Sequence, residues 1–92
     1  MKKLSEKKTL NFEDKKLKYY KTFNLFGEVA YIAKYTNKYW EVFLQKKNGD
    51  FGRLGALTLT AKNAVEAAID RVESFAMRQG VTNQEVMTMI LK

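Results

Sequence analysis

Residues 60–80 read TAKNAVEAAIDRVESFAMRQG, and this stretch predicts one amphipathic α-helix. Charged side chains fill one side of that helix, and apolar ones recur on the other at offsets of three and four. The predicted apolar stripe consists of Val65, Ala68, Ile69, Val72, Phe75 and Ala76. Thr60 is suited to cap the first turn, and Gly80 supplies the left-handed residue that ends the last one. Such a helix requires a partner surface, which we expect from the residues upstream.

Upstream of the helix, the sequence has the alternation and the turn residues that are typical of short antiparallel strands. Asn48 and Gly49 form the pair that most strongly indicates a tight hairpin turn. Residues 11–17 are ambiguous, and we favour a short turn or helix that gives way to the first strand. The sequence predicts strands over residues 18–26, 29–35, 39–46 and 51–59.

The two ends of the chain differ in character. Residues 82–85 read TNQE, which has the form of a capping box and predicts a short final helix. Residues 1–11 are rich in lysine and poor in apolar side chains. They predict a mobile basic arm, or a first edge strand if something docks it.

These elements together predict an α+β fold in a single domain over residues 1–92. An antiparallel β-meander of three to four strands spans residues 18–59, and a helical layer spans residues 60–92. The main C-terminal helix and the short final helix pack on one face of the meander. A sheet covered on one side leaves its other face exposed, and we expect function on that open face.

Cysteine and histidine are both absent from the chain. It therefore has no thiol nucleophile, disulfide or imidazole base, and it lacks the commonest zinc ligand. We predict a non-enzymatic protein with no catalytic residues, no metal, no cofactor and no small-molecule substrate. The first residues lack the apolar core of a signal peptide, and no apolar run approaches the ~20 residues of a membrane helix. We accordingly expect a cytoplasmic protein that does not bind membranes.

The net charge of +7 is unevenly distributed along the chain. Residues 1–21 hold eight lysines against three acidic residues, whereas residues 60–92 hold four basic and four acidic residues. A solvated, solubilising surface is one explanation of the excess. An anionic partner, either a nucleic acid or an acidic protein, is the other, and the bias toward one end favours it.

Lysine and aromatic residues are interleaved in the predicted strands, and a second basic group lies near the Asn48-Gly49 turn. Nucleic-acid surfaces use this pairing, because lysine meets phosphate while an aromatic ring stacks on a base. Ordinary strand chemistry also explains it, because tyrosine suits a half-buried pleat and lysine protects an edge. The predicted RNA-binding or partner-binding residues are Lys15, Lys16, Lys18, Tyr20, Lys21, Lys34, Tyr35, Lys38, Lys46, Lys47 and Arg53.

Over its whole length, from MKKLSEKKTLNFEDKKLKYY through YTNKYWEVFLQKKNGDFG to EVMTMILK, the chain resembles phage-encoded anti-CRISPR proteins. The resemblance is to those that inhibit the type I-F (Csy) surveillance complex. It implies a protein that binds the Csy complex, among its Cas7f, Cas5f and Cas8f subunits and the guide RNA, and blocks target DNA hybridisation. It also implies action in the cytoplasm of the infected bacterial host, by a protein that we expect to be monomeric when free. Under this reading the tyrosines, Trp40 and the C-terminal methionines would anchor protein subunits.

Two other functions fit the same residues. One is a stand-alone, small, basic nucleic-acid-binding phage protein, which the lysine–aromatic strands favour. The other is a structural subunit of a phage particle, which would self-associate without nucleic acid.

Overall fold

The computed structural model describes residues 8–92. Five strands precede two helices: β1 (Thr9–Phe12), β2 (Lys15–Leu25), β3 (Glu28–Lys34), β4 (Trp40–Gln45), β5 (Phe51–Thr58), α1 (Ala61–Gln79) and α2 (Asn83–Ile90). The strands form one antiparallel sheet in the order β1-β2-β3-β4-β5, and the sheet curls so that β1 contacts β5. The predicted α+β class, with a sheet packed against the long C-terminal helix, is confirmed. Within the described residues, neither helix is long and apolar enough to span a membrane.

The sheet has one more strand than the three to four that the sequence predicts, because β1 and β2 form a hairpin. Glu13 and Asp14 connect them with φ angles of 50° and 68°, the left-handed values that a two-residue type I′ turn requires. The first predicted strand therefore begins at Lys15 rather than at Lys18. For residues 9–11 the sequence leaves open a mobile basic arm or a first edge strand, and they belong to the edge strand β1, in which Leu10 and Phe12 are buried. The rest of the predicted arm, residues 1–7, lies outside the described residues.

Both helices begin, and α1 also ends, where their capping residues predict. Thr60 Oγ1 accepts a hydrogen bond from the Asn63 amide at 3.0 Å, and α1 ends at Gly80 with a φ of 68°. At the start of α2, Thr82 and Glu85 form the predicted reciprocal capping box. These bonds satisfy amide groups that a helix end leaves without partners.

Helix α1 turns a stripe of small residues toward the sheet. Its buried residues are Ala64, Ala68, Val72 and Ala76, whereas Phe75 of the predicted stripe is exposed. At Ala68 the sheet comes close to the helix, because an added Cβ on Gly55 of β5 would lie 3.2 Å from the Ala68 nitrogen. A small residue at position 68 is compatible with this close approach.

The first hydrophobic core lies between the helices and one face of the sheet. Its buried residues are Leu25, Ala30, Val42, Leu44, Leu54, Ala64, Ala68, Val72, Ala76, Val86 and Met87. Of the two methionines near the C-terminus, Met87 fills this core and Met89 is exposed.

The opposite face of the sheet is not open, and the prediction of an exposed functional face is wrong. A second buried cluster occupies it, formed by Leu10, Phe12, Leu17, Ala33 and Phe43. The curl folds the β1–β2 hairpin over this face, so that the apolar side of the hairpin is buried there. The lysines of the sheet therefore lie at the ends and outer sides of the strands, and the candidate site lies there as well.

Candidate nucleic-acid interface

A pocket of about 370 Å³ lies between the first half of β2 and the turn that joins β3 to β4. We call it the lysine pocket, and it is lined by Lys16, Leu17, Lys18, Tyr20, Lys34, Tyr35, Thr36 and Asn37. Five of these residues belong to the set that the sequence predicts to bind RNA or a partner. Among the residues that the structure describes, none that lines the pocket carries a carboxylate. The pocket therefore combines concentrated positive charge with two phenolic rings.

The lysines reach the pocket because β2 continues beyond the end of β3. The first β2 residue that pairs with β3 is Tyr19, opposite Ala33, whereas Lys16 and Lys18 pair only with β1. Successive side chains of a strand point to opposite sides, and Leu17 is buried in the second core. Lys16 and Lys18 consequently project from the outer side of the hairpin, and both are exposed.

Tyr20 reaches the same place through an irregularity in β2. The pairing register shifts between Tyr19 and Lys21, which marks a β-bulge with Tyr20 as the extra residue. The Tyr20 ring lies 5.2 Å from the Trp40 ring, tilted by 59°, and Tyr20 is 50% exposed. A half-exposed ring held at one edge by another aromatic residue is suited to stack on a planar ligand.

Lys34 joins this aromatic pair. Its Nζ atom lies 4.8 Å from the centroid of the Trp40 ring and donates a hydrogen bond to the Asn37 carbonyl oxygen at 3.2 Å. Cation–π attraction and this bond together hold the ammonium at the rim of the pocket. An ammonium group has three donor hydrogens, so this bond leaves two for a ligand.

Tyr35, which also lines the lysine pocket, contacts two further cations with its ring. Lys15 Nζ lies 5.2 Å and Arg53 Cζ 5.0 Å from the centroid of the Tyr35 ring. Arg53 Nε also donates a hydrogen bond of 2.6 Å to Oε2 of Glu41, which is completely buried. That hydrogen bond raises the pKa of Arg53 above its ordinary value; burial opposes the rise, and the attraction of the Glu41 charge adds to it. The Arg53 charge is thus largely engaged by an internal carboxylate.

The remaining predicted site residues are not gathered in the lysine pocket. Lys21 is exposed on β2, and Lys38 lies in the β3–β4 turn with its Nζ atom 5.6 Å from the Tyr39 ring centroid. Lys46 and Lys47 follow β4 at its other end, in the turn to β5. The Lys47 amide there donates to the Leu91 carbonyl oxygen at 3.4 Å, which ties the turn to the end of α2.

A larger groove of about 950 Å³ lies between the Glu13-Asp14 turn and the start of β5. Lys16, Lys46 and Arg53 line it, but so do Glu13, Asp14 and Asp50. Because the described residues place cations and carboxylates there in equal number, they give this groove no excess of positive charge to attract a polyanion.

The sequence does not place Trp40 among the binding residues except as an anchor for protein subunits. In the structure it is the aromatic neighbour of both Tyr20 and Lys34. One signal in the sequence could have indicated this: Trp40 directly follows a lysine–tyrosine pair after a tight turn. Thr36 and Asn37 are also pocket residues that the sequence does not single out.

Within residues 8–92, no group of three or more His, Cys, Asp or Glu side chains is arranged to hold a metal ion. Comparison with protein-family models, with curated proteins and with solved structures gives no match to this chain.

Proposed function

We propose that this protein is a non-enzymatic inhibitor that binds the type I-F CRISPR RNA-guided surveillance complex and blocks hybridisation of target DNA. The whole-chain resemblance to anti-CRISPR proteins motivates the proposal. The structural observation that supports it is the lysine pocket, in which three lysines and two tyrosines converge and, within residues 8–92, no carboxylate joins them. A guide RNA held on protein subunits offers the phosphates and unpaired bases that such a pocket binds.

Contacts to protein subunits would come from the aromatic residues beside the pocket. Trp40 and Tyr20 pack against each other beside the pocket, and side chains of this kind are common anchors of protein interfaces. The protein would act as a monomer in the cytoplasm of the infected bacterial host, with the pocket against guide RNA and the aromatic pair at the boundary with a subunit.

The test is capture of labelled target DNA by the purified Csy complex, with and without this protein. We expect capture to fall in proportion to the protein added, up to saturation. The double variant Lys18→Glu with Lys34→Glu should lose the effect, because it reverses two charges of the pocket. Its matched control is Lys62→Glu, at an exposed position of α1 away from the pocket. Undiminished capture in the presence of the unmodified protein would reject the proposal.

A second candidate is a stand-alone nucleic-acid-binding protein. The observation that favours it is that the pocket joins cations and aromatic rings within one chain, so that no partner subunit is needed to complete it. This function predicts binding to protein-free RNA or DNA. The plot of log K against log salt should have a slope of about −4 if about six single-strand phosphates are contacted. A flat salt response, or binding only when Csy subunits are present, would contradict it.

A further inference from the structure

We infer that the lysine pocket is selective for single-stranded nucleic acid, with one unpaired base against the Tyr20 ring and its flanking phosphates between Lys16, Lys18 and Lys34. The inference rests on the proposed function in assigning nucleic acid to this surface. It goes further by naming the strandedness of the ligand and the residues that select it.

The size and shape of the pocket fit one nucleotide. Its volume of about 370 Å³ is at the lower end of the range of about 300–1,000 Å³ that is typical of small-ligand sites. The lining residues come from β2, from the last residue of β3 and from the turn that follows it, so the site lies between two segments of the chain. We expect a site of this volume to admit one splayed-out base, whereas a duplex is convex and keeps its base faces inside the stack.

The charge distribution separates this pocket from the larger groove. Among the described residues, the pocket is lined by Lys16, Lys18 and Lys34 and by no carboxylate, whereas the groove, which Lys16 also borders, has Glu13, Asp14 and Asp50 beside its three cations. Phosphates entering the groove would meet carboxylates and be repelled. The lysine pocket is therefore the part of the cationic surface where successive phosphates of a nucleic-acid backbone can contact one lysine after another.

Tyr20 provides selectivity for an unpaired base. Its position in the β-bulge leaves the ring 50% exposed, while Trp40, at 5.2 Å, limits its movement. Stacking on such a ring requires a base whose own face is free. In a duplex that face becomes free only after unstacking and unpairing, which disfavours duplex binding.

The experiment titrates the unliganded protein with oligothymidylate and oligouridylate of about eight nucleotides, within the usual site size of one small domain. A DNA duplex of the same length is the comparison. Trp40 is the only tryptophan of the chain and adjoins Tyr20, so its fluorescence reports a base that stacks there. We expect Trp40 fluorescence to change on binding, and single strands to bind at least tenfold more tightly than the duplex.

Variants identify the residues that carry the selectivity. Tyr20→Ala should weaken single-strand binding about tenfold, whereas Tyr20→Phe, which keeps the ring, should bind as the unmodified protein does. The triple variant Lys16→Gln, Lys18→Gln and Lys34→Gln should reduce the steepness of the salt slope by about 2, since each single-strand phosphate contact contributes about 0.7. Lys62→Gln is the matched control and should change neither quantity. Circular dichroism and urea midpoints verify that each variant is folded.

Three results would overturn the inference: duplex binding as tight as single-strand binding, no change in Trp40 fluorescence up to millimolar oligonucleotide, or an unchanged salt slope in the triple variant. Failure of the proposed function is read separately, from Csy target capture. Undiminished capture together with selective oligonucleotide binding would reject the inhibitor and support the pocket assignment. Inhibited capture without oligonucleotide binding would support the inhibitor and reject the pocket assignment.

Discussion

Arg53 Nε lies 2.6 Å from Oε2 of Glu41, and the carboxylate that it contacts is completely buried. The pair joins β4 to β5 on the face of the sheet that the β1–β2 hairpin covers, with the Tyr35 ring 5.0 Å from the guanidinium carbon. Within the described residues, the other carboxylate oxygen of Glu41 has no hydrogen-bond partner. The burial of this charge consequently depends on one arginine.

Removal of that arginine should destabilise the fold strongly. We expect Arg53→Ala to lower the free energy of unfolding by about 3 kcal/mol, because it leaves a buried carboxylate without a counter-charge. Replacing both partners, with Glu41→Met and Arg53→Met, should recover most of the loss, since no buried charge then remains. Urea denaturation measures both effects. Arg71→Ala, at an exposed position on α1, is the control, and a loss of less than about 1 kcal/mol in Arg53→Ala would contradict this role of the pair.

The same pair predicts a difference between arginine and lysine at alkaline pH. Hydrogen bonding to Glu41 raises the pKa of Arg53, so the stabilisation by its charge is complete below the ordinary arginine pKa and is lost only as pH rises through the higher folded value. In Arg53→Lys the corresponding loss should begin near pH ~10.5, the ordinary range of lysine. Unfolding measured at pH 8 and pH 11 should therefore show a larger alkaline loss in Arg53→Lys than in the unmodified protein. Equal losses would indicate that Arg53 contributes no charge-dependent stability.

Gly55 should be the least replaceable glycine of the sheet. It has a φ of 108°, and an added Cβ would lie 3.2 Å from the Ala68 nitrogen and 3.3 Å from its Cα. We expect Gly55→Ala to cost about 3 kcal/mol, from backbone strain and the displacement of α1 together. Gly49→Ala is the matched control: its φ is 95°, but nothing lies within 4 Å of the added Cβ, so only the strain of about 1 kcal/mol applies. Equal losses in the two variants would show that contact with α1 is unimportant.

The turn between β1 and β2 offers a stabilising change. Glu13 and Asp14 adopt left-handed φ values of 50° and 68°, which cost non-glycine residues about 1–2 kcal/mol each. Replacing them with Asn and Gly, the preferred pair for this turn, should raise the free energy of unfolding by about 1 kcal/mol. Asp14→Ala should lower it, because alanine tolerates this conformation less well than aspartate. Thermal unfolding distinguishes these outcomes, and a melting temperature lowered by the Asn-Gly pair would contradict the turn assignment.

The second core should be a large contributor to stability. Phe12 is buried, with its ring centroid 5.1 Å from that of Phe43 and 6.2 Å from that of Tyr35, both in edge-to-face geometry. We expect Phe12→Ala to cost about 3–5 kcal/mol. Leu59→Ala removes a large apolar side chain that is 63% exposed and should cost less than about 0.5 kcal/mol. If Phe12→Ala were as mild as Leu59→Ala in urea denaturation, the hairpin would not be packed on this face.

The features that the sequence predicts correctly are those determined by neighbouring residues. Both ends of α1 and the start of α2 depend on capping residues a few positions away. The alternation in β3 and β4 indicates which side chains share a face. The buried stripe of α1 could not be predicted in the same way. Which residues of α1 face the sheet depends on how closely β5 approaches, and at Ala68 that close approach depends on Gly55 in another element.

The second core could not be predicted from the sequence for a similar reason. Glu13-Asp14 lacks the composition of a type I′ turn, so the sequence around it does not indicate a hairpin. The lysines and tyrosines of the candidate site could be identified as residue types, because their interleaving is visible in the sequence. Their convergence could not, because it requires both the extension of β2 beyond β3 and the bulge that brings Tyr20 to Trp40.

The curl of the sheet has a consequence for self-association. Its two edge strands, β1 and β5, lie at opposite ends of the strand order, and the curl brings them into contact with each other. Where β1 and β5 contact each other, a strand from a second molecule has less free margin to pair with, and open strand margins are the usual starting points of fibrils. We therefore expect the geometry that builds the second core also to disfavour amyloid-like growth.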